Sequence, residues 1–215
     1  MTRILGWGAA LGLLAGLALG FGYAPKDAVQ GNVQRIMYLH VPSILTAYVA
    51  FALVLGASLA YLTTGRSRWD RLARASAEPG VIFTGLTLVS GSIWGKPTWG
   101  TWWTWDARLT STAILFLTYV GYLLLRAMVE EPERGAKYAA VVGILGAVNI
   151  PIVHFSVVWW RTLHQPPTIL SPEPVSLPGS MRVTLAVNLA AFTLIFVYLL
   201  AKRVALARLE EEARA

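Results

Sequence analysis

The sequence predicts an all-α, polytopic membrane protein: a bundle of six transmembrane helices with N- and C-termini cytoplasmic. Three observations predict it. Of 215 residues, 56% are hydrophobic and only 13% are charged, which is too apolar for a soluble domain of this size. Six stretches reach or approach the roughly 20 apolar residues that a helix needs to cross about 30 Å of hydrocarbon. The 18 Lys and Arg residues are shared unevenly among the segments between those stretches, as the positive-inside rule requires.

The spans run over about residues 4–22, 43–63, 79–94, 110–129, 137–160 and 181–201, separated by short segments rich in Pro, Gly and charge. Together they make one integral membrane domain over 1–215, with no soluble domain, repeat array or long linker. The first run follows Arg3 in the manner of a secretory signal. It is read as a retained span, because Gly8, Gly12, Gly16 and Gly20 recur at every fourth position and form a face for a close helix partner. The third is short, since about 16 residues at 1.5 Å each reach only about 24 Å, so it is thinly spanning, extended by flanking residues or shielded by neighbours.

Charge sidedness retains that third span. With six spans and the N-terminus inside, 12 cations are cytoplasmic: Arg3, Arg66, Arg68, Arg71, Arg74, Arg126, Arg134, Lys137, Lys202, Arg203, Arg208 and Arg214. The outer side keeps Lys26, Arg35, Lys96, Arg108, Arg161 and Arg182. Dropping the third span reverses every later segment and erases the asymmetry. The segment from Thr63 to Glu78 and the tail after Lys202 read as short basic pieces, solvated or resting on anionic lipid.

Composition also excludes chemistry. With no cysteine there is no disulfide, thiolate metal site, thiol nucleophile or haem attachment through C-x-x-C-H. The net charge of +7 is dispersed between apolar spans instead of gathered on a solvated face, so nucleic acid is discarded as a partner. No Ser stands in a nucleophile-elbow context, and no base is paired with an orienting acid.

The unusual residues gather on the outer side. His40, His154 and His164 all fall there, with seven of the nine tryptophans. Trp159 and Trp160 read as an interfacial aromatic belt. The stretch WGKPTWGTWWTWDARLT, residues 94–110, is denser than a belt needs: Trp99, Trp102, Trp103 and Trp105 would cover a broad apolar platform. Asp106 reads as an N-cap of the fourth span or a partner of Arg108, and the Arg108 guanidinium is suited to a carboxylate. A ligand with a large flat apolar body and carboxylates would use both parts. His154 shares its span with Asn149 and Pro151, which favours a structural or gating role. His40 and His164 each lie at a helix end beside a proline, flanking the Trp segment, and suit the two axial positions of a haem iron. A copper or zinc site competes, but neither metal needs a Trp platform and no i, i+4 His pair or carboxylate cluster is present.

The run Trp99, Gly100, Thr101, Trp103, Trp105, Asp106, Arg108, Leu109, Thr110 resembles the tryptophan-rich WWD motif of the haem-handling membrane proteins, which include CcmC, CcmF and the CcsA-type cytochrome c synthases. Six spans, with MYLHVPS before the motif and HFSVVWWRTLHQ after it, resemble the CcmC family (haem exporter protein C) in particular, over about Arg35 to Thr168. The resemblance implies that the protein binds haem b non-covalently and transiently at the periplasmic face of the cytoplasmic inner membrane. It makes His40 and His164 the axial ligands to the haem iron. The WWD loop, about 94–109, with Trp99, Gly100, Trp103, Trp105, Asp106 and Arg108, would hold the macrocycle. It further implies presentation of haem to the chaperone CcmE during cytochrome c maturation, beside CcmD and the ABC transporter CcmA and CcmB, and no catalysis by this chain. The rival readings are a haem lyase of the cytochrome c synthase kind and a b-type electron-transfer subunit.

Overall fold

A computed structural model describes residues 2–165 and 177–213, and among these six long helices and no strand are found. Arg214 and the last residues of the Arg35–Thr168 stretch lie outside the described residues. Helix α1 (Thr2–Ala18) continues through a π turn, Leu19–Tyr23, and a 3-10 turn, Val33–Ile36, leads into α2 (Met37–Thr64). There follow α3 (Ser67–Trp99), α4 (Ala107–Met128), α5 (Pro132–Trp159) and α6 (Gly179–Glu212). Short connections make α2 to α5 antiparallel neighbours in turn.

Helix α2 is the centre, packed on α3, α5 and α6. Its Ala47, Ala50, Phe51 and Val54 are fully buried. Phe51 stacks on Tyr119 of α4 with ring centroids 3.7 Å apart, and the Tyr119 hydroxyl donates to the Gly143 carbonyl of α5 at 2.9 Å. Gly80 is what lets α3 lie so near, because a Cβ there would stand 2.5 Å from Phe51 Cε1.

The glycine face of α1 finds its partner inside the chain. A Cβ on Gly12 would meet Ala191 of α6 at 3.2 Å, and one on Gly16 would meet Asn188 Oδ1 at 2.4 Å. Asn188 Nδ2 donates to the Gly16 carbonyl at 3.2 Å across this contact. Gly8 faces nothing within 4 Å. Arg35 then closes the C-terminal end of α1 and its π turn, its Nη1 donating to the carbonyls of Gly20 and Phe21 at 2.8 and 2.6 Å.

Among the described residues five helices are long and apolar enough to cross a membrane: Thr2–Tyr23, Val33–Thr64, Ala107–Met128, Pro132–Trp159 and Gly179–Glu210. Helix α3, the short third span of the sequence reading, is a 33-residue helix, about 50 Å long. It begins at Ser67, so the supposed basic segment before Glu78 is its first three turns. Its weak hydropathy has a cause. Ser76, Thr84, Thr87 and Ser90 are buried among the other helices, each hydroxyl donating to the carbonyl four residues back. Ile82, Val89 and Ile93 occupy the exposed face.

The end of the bundle away from the Trp-rich segment is ionic. Arg126 of α4 grips Asp70 of α3 with both guanidinium nitrogens, Arg203 of α6 pairs with Glu78, and Arg74 reaches Glu210 at 3.3 Å. The tail after Lys202 is thus a continuation of α6, tied to α3.

Candidate functional site

Four helix ends and three connecting segments meet at the opposite end. His40 lies in the first turn of α2, which starts at Met37, six residues before the span read from sequence. Across from it, α3 presents Ser90, Gly91 and Trp94 on one face. The His40 Nδ1 lies 3.1 Å from Ser90 Oγ, and the ring meets the edge of Trp94 with centroids 5.7 Å apart. A Cβ on Gly91 would stand 2.9 Å from His40 Cε1. Trp94 is buried, and its indole N–H donates to Gln30 Oε1 at 2.8 Å.

His164 comes from the segment after α5. Its ring centroid lies 6.3 Å from that of His40, with the planes 31° apart, and 5.9 Å from that of Trp99. Its Nδ1 donates to the Gln165 carbonyl at 2.8 Å, which leaves Nε2 as the free lone pair. Desolvation by the surrounding groups, with repulsion from the Arg108 guanidinium behind it, lowers its pKa to about 4. The imidazole is therefore neutral near pH 7.

His40, His164, Trp94, Trp99, Trp103 and Arg108 share the lining of one open-mouthed cavity. Ile44 of α2, Leu109 of α4 and Val153 of α5 give it an apolar wall. The lining suits a mainly apolar ligand with a few polar anchor points.

The remaining sequence candidates shape the segment between α3 and α4. Helix α3 runs on through Pro97 to Trp99, so the connection is shorter than the loop over 94–109 read from sequence. Gly100 takes φ 79° as the C-cap, a left-handed conformation that suits glycine, and its N–H donates to the Lys96 carbonyl. Lys96 Nζ donates to the Gly100 carbonyl at 3.0 Å. Asp106 is the N-cap of α4, Oδ1 accepting from the Leu109 N–H at 2.9 Å. It does not pair with Arg108, whose Nη2 donates instead to the His154 carbonyl at 2.9 Å. Trp105 is 81% exposed, outside the cavity lining, with its ring edge-on to Trp103. His154 is buried beside Tyr48 and Phe155 and does not line the cavity.

The segment from Trp103 to Thr110 carries unspent polarity. Trp103 Nε1, Thr104 Oγ1, Asp106 Oδ2, Arg108 Nε and Thr110 Oγ1 are buried without a hydrogen-bond partner among the described residues. Buried polar atoms are ordinarily bonded, and of these residues Trp103 and Arg108 line the cavity, where polar groups of a ligand can meet them. Among the described residues no group of three or more His, Cys, Asp or Glu gathers as a metal cluster would need. Two facing imidazoles, an indole wall and a guanidinium fit haem better than a bare ion.

Sequence reading passed over Ser90, Gly91, Trp94 and Gln30 as site residues. The signal for the first three was present: Thr87, Ser90, Gly91, Trp94 and Thr98 recur at helical spacing and share one face of α3, small or polar but for the indole.

A family model described as haem exporter protein C (CcmC) matches residues 1–215. The chain is 44% identical over 201 residues to the haem exporter protein C of Bradyrhizobium diazoefficiens, covering 92% of this chain and 76% of that one. It is 40% identical over 183 residues to the Escherichia coli K12 protein of the same name, covering 85% and 74%. A putative cytochrome c biosynthesis ccmC-like mitochondrial protein of Marchantia polymorpha is 42% identical over 172 residues, covering 79% and 71%. With the match running the whole length of the chain, it belongs to the CcmC family.

Proposed function

We propose that the chain binds haem b, non-covalently and transiently, between His40 and His164 at the periplasmic face of the inner membrane, and presents it to the chaperone CcmE for cytochrome c maturation. It acts as a haem-handling membrane component and not as an enzyme. Haem brings an iron with two axial positions and a flat apolar ring edged by two propionates. The observation that carries the reading is the 6.3 Å between the two imidazole centroids. Imidazole–metal bonds of about 2 Å on opposite sides of one ion separate the two ring centroids by about 6 Å.

Trp99 and Trp103 serve as the apolar wall for the macrocycle, and Trp105 extends that surface outward. Arg108 meets the propionates with the guanidinium edge that the His154 carbonyl leaves free. Gly100 and Asp106 fix the two ends of the segment that carries these groups. Several weak aromatic contacts, each contributing roughly 0.5 to 1.5 kcal/mol beyond burial, suit a carrier that must release its cargo. Six spans, α3 among them, with both termini cytoplasmic, put this cavity outside and the ionic end inside. CcmD and the ABC transporter CcmA and CcmB complete the assembly on this reading.

The test is the visible spectrum of detergent-purified protein titrated with haemin, beside His40→Ala and His164→Ala. The parent should give a six-coordinate, low-spin band. Each variant should lose it and regain it with exogenous imidazole. An unchanged spectrum in either variant overturns the axial pair.

A further inference from the structure

We propose that Ser90 is a positioning residue for the His40 ligand: its hydroxyl oxygen accepts the Nδ1 proton, fixes the tautomer and leaves Nε2 bare toward the cavity. The inference rests on the reading of His40 as an axial ligand. It follows from counting protons. A serine hydroxyl has one hydrogen, and that of Ser90 is directed into its own helix, with the Leu86 carbonyl at 2.7 Å and the Thr87 carbonyl at 3.2 Å. Toward His40, at 3.1 Å, only a lone pair remains. We assign the shared hydrogen to Nδ1, an arrangement the Thr87 carbonyl beside the ring also favours because it can only accept, and Nε2 is then the acceptor that an iron requires.

The surroundings make the arrangement rigid. Ser90 is 3% exposed, and its hydroxyl is anchored to the α3 backbone. Gly91 leaves no Cβ where the imidazole Cε1 lies, and Trp94 presents its edge to the ring. Hydroxyl, missing side chain and indole are successive features of one helix face, so α3 shapes a slot for a residue of α2. The opposite imidazole is held differently, since His164 donates to the carbonyl of its own neighbour Gln165. Ser90 therefore acts on one side of the iron only. An acceptor on the distal nitrogen raises imidazole basicity, which favours ferric over ferrous haem.

Ser90→Thr and Ser90→Val share one shape and differ in the hydroxyl, so the pair isolates the bond. Each is titrated with haemin, and its haem midpoint potential is measured. The threonine variant should stay within about twofold of the parent, whereas the valine variant should bind haemin about 10- to 100-fold more weakly and show a higher midpoint potential. In a His40→Ala background the difference between the two should vanish. Equal affinity and potential for Thr and Val, in a protein whose His40→Ala variant does change coordination, overturn the proposal. So does a difference that persists without His40. If His40→Ala leaves the spectrum unchanged, the ligand assignment itself fails, and that outcome is separate from a failure of Ser90.

Discussion

At the scale of single residues, Arg108 has two obligations. Its Nη2 holds the His154 carbonyl, while its Nε is buried and unbonded at the cavity wall. An interior guanidinium edge without an acceptor is poorly placed unless a ligand carboxylate completes it. We expect Arg108→Ala to weaken haemin binding by roughly 10-fold or more, as the loss of a charge-assisted hydrogen bond of about 1.5 to 3 kcal/mol implies. Haemin dimethyl ester separates this from general damage. The parent should prefer haemin over the ester, and the variant should bind the two alike. If the parent binds ester and acid equally, the propionate role is lost. His40, His164, Trp99, Trp103 and Arg108 were all legible in the sequence, because each is chemically unusual where it stands. Ser90 and Gly91 were passed over although their helical spacing with Trp94 was there to read: a serine and a glycine in an apolar run look ordinary until the helix face opposite His40 is known.

Among elements, α1 and α3 teach the same lesson from opposite directions. The repeat of glycines in α1 marked a packing face, but a pattern along one helix does not name its partner. That partner is α6 of the same chain, with Asn188 seated over Gly16. Gly16→Val should overpack this contact and lower stability by about 1 to 3 kcal/mol. Gly8→Val, where the space is open, should change it by less than about 0.5 kcal/mol. Thermal melts of the two variants in one detergent decide the matter, and equal melting temperatures would remove α1 packing as the reason for the glycines. In α3 hydropathy understated a helix that flanking residues extend and neighbours shield, two of the ways the sequence left open for so short a stretch. An averaged scale cannot distinguish a hydroxyl exposed to lipid from one buried against a neighbour and bonded to its own backbone. Thr84, Thr87 and Ser90 are of the second kind, so the helix is longer and better satisfied than its composition implied.

Viewed whole, the molecule separates its two kinds of polarity. The cavity, its indoles and its imidazoles occupy one end, and the ion pairs Asp70–Arg126, Glu78–Arg203 and Arg74–Glu210 occupy the other. Several cations counted for sidedness are thus engaged in holding α3 to α4 and α6, and the charge asymmetry is partly architecture. Topology needs a test that does not rely on counting charges. The chain has no cysteine, so single introduced thiols report without background. Val29, 94% exposed before α2, and Trp102, 56% exposed after α3, stand at the cavity end, while Ser67 and Glu130 are exposed at the other. In intact spheroplasts a membrane-impermeant maleimide should label Val29→Cys and Trp102→Cys, and it should reach Ser67→Cys and Glu130→Cys only after permeabilisation. The pair that flanks α3 is decisive. Opposite behaviour of Ser67→Cys and Trp102→Cys makes α3 a sixth span and puts the imidazole pair on the periplasmic side, as the proposed function requires. Like behaviour leaves five spans and reverses α4 to α6, which is incompatible with the 6.3 Å between the His40 and His164 rings and overturns both that packing and the axial pair.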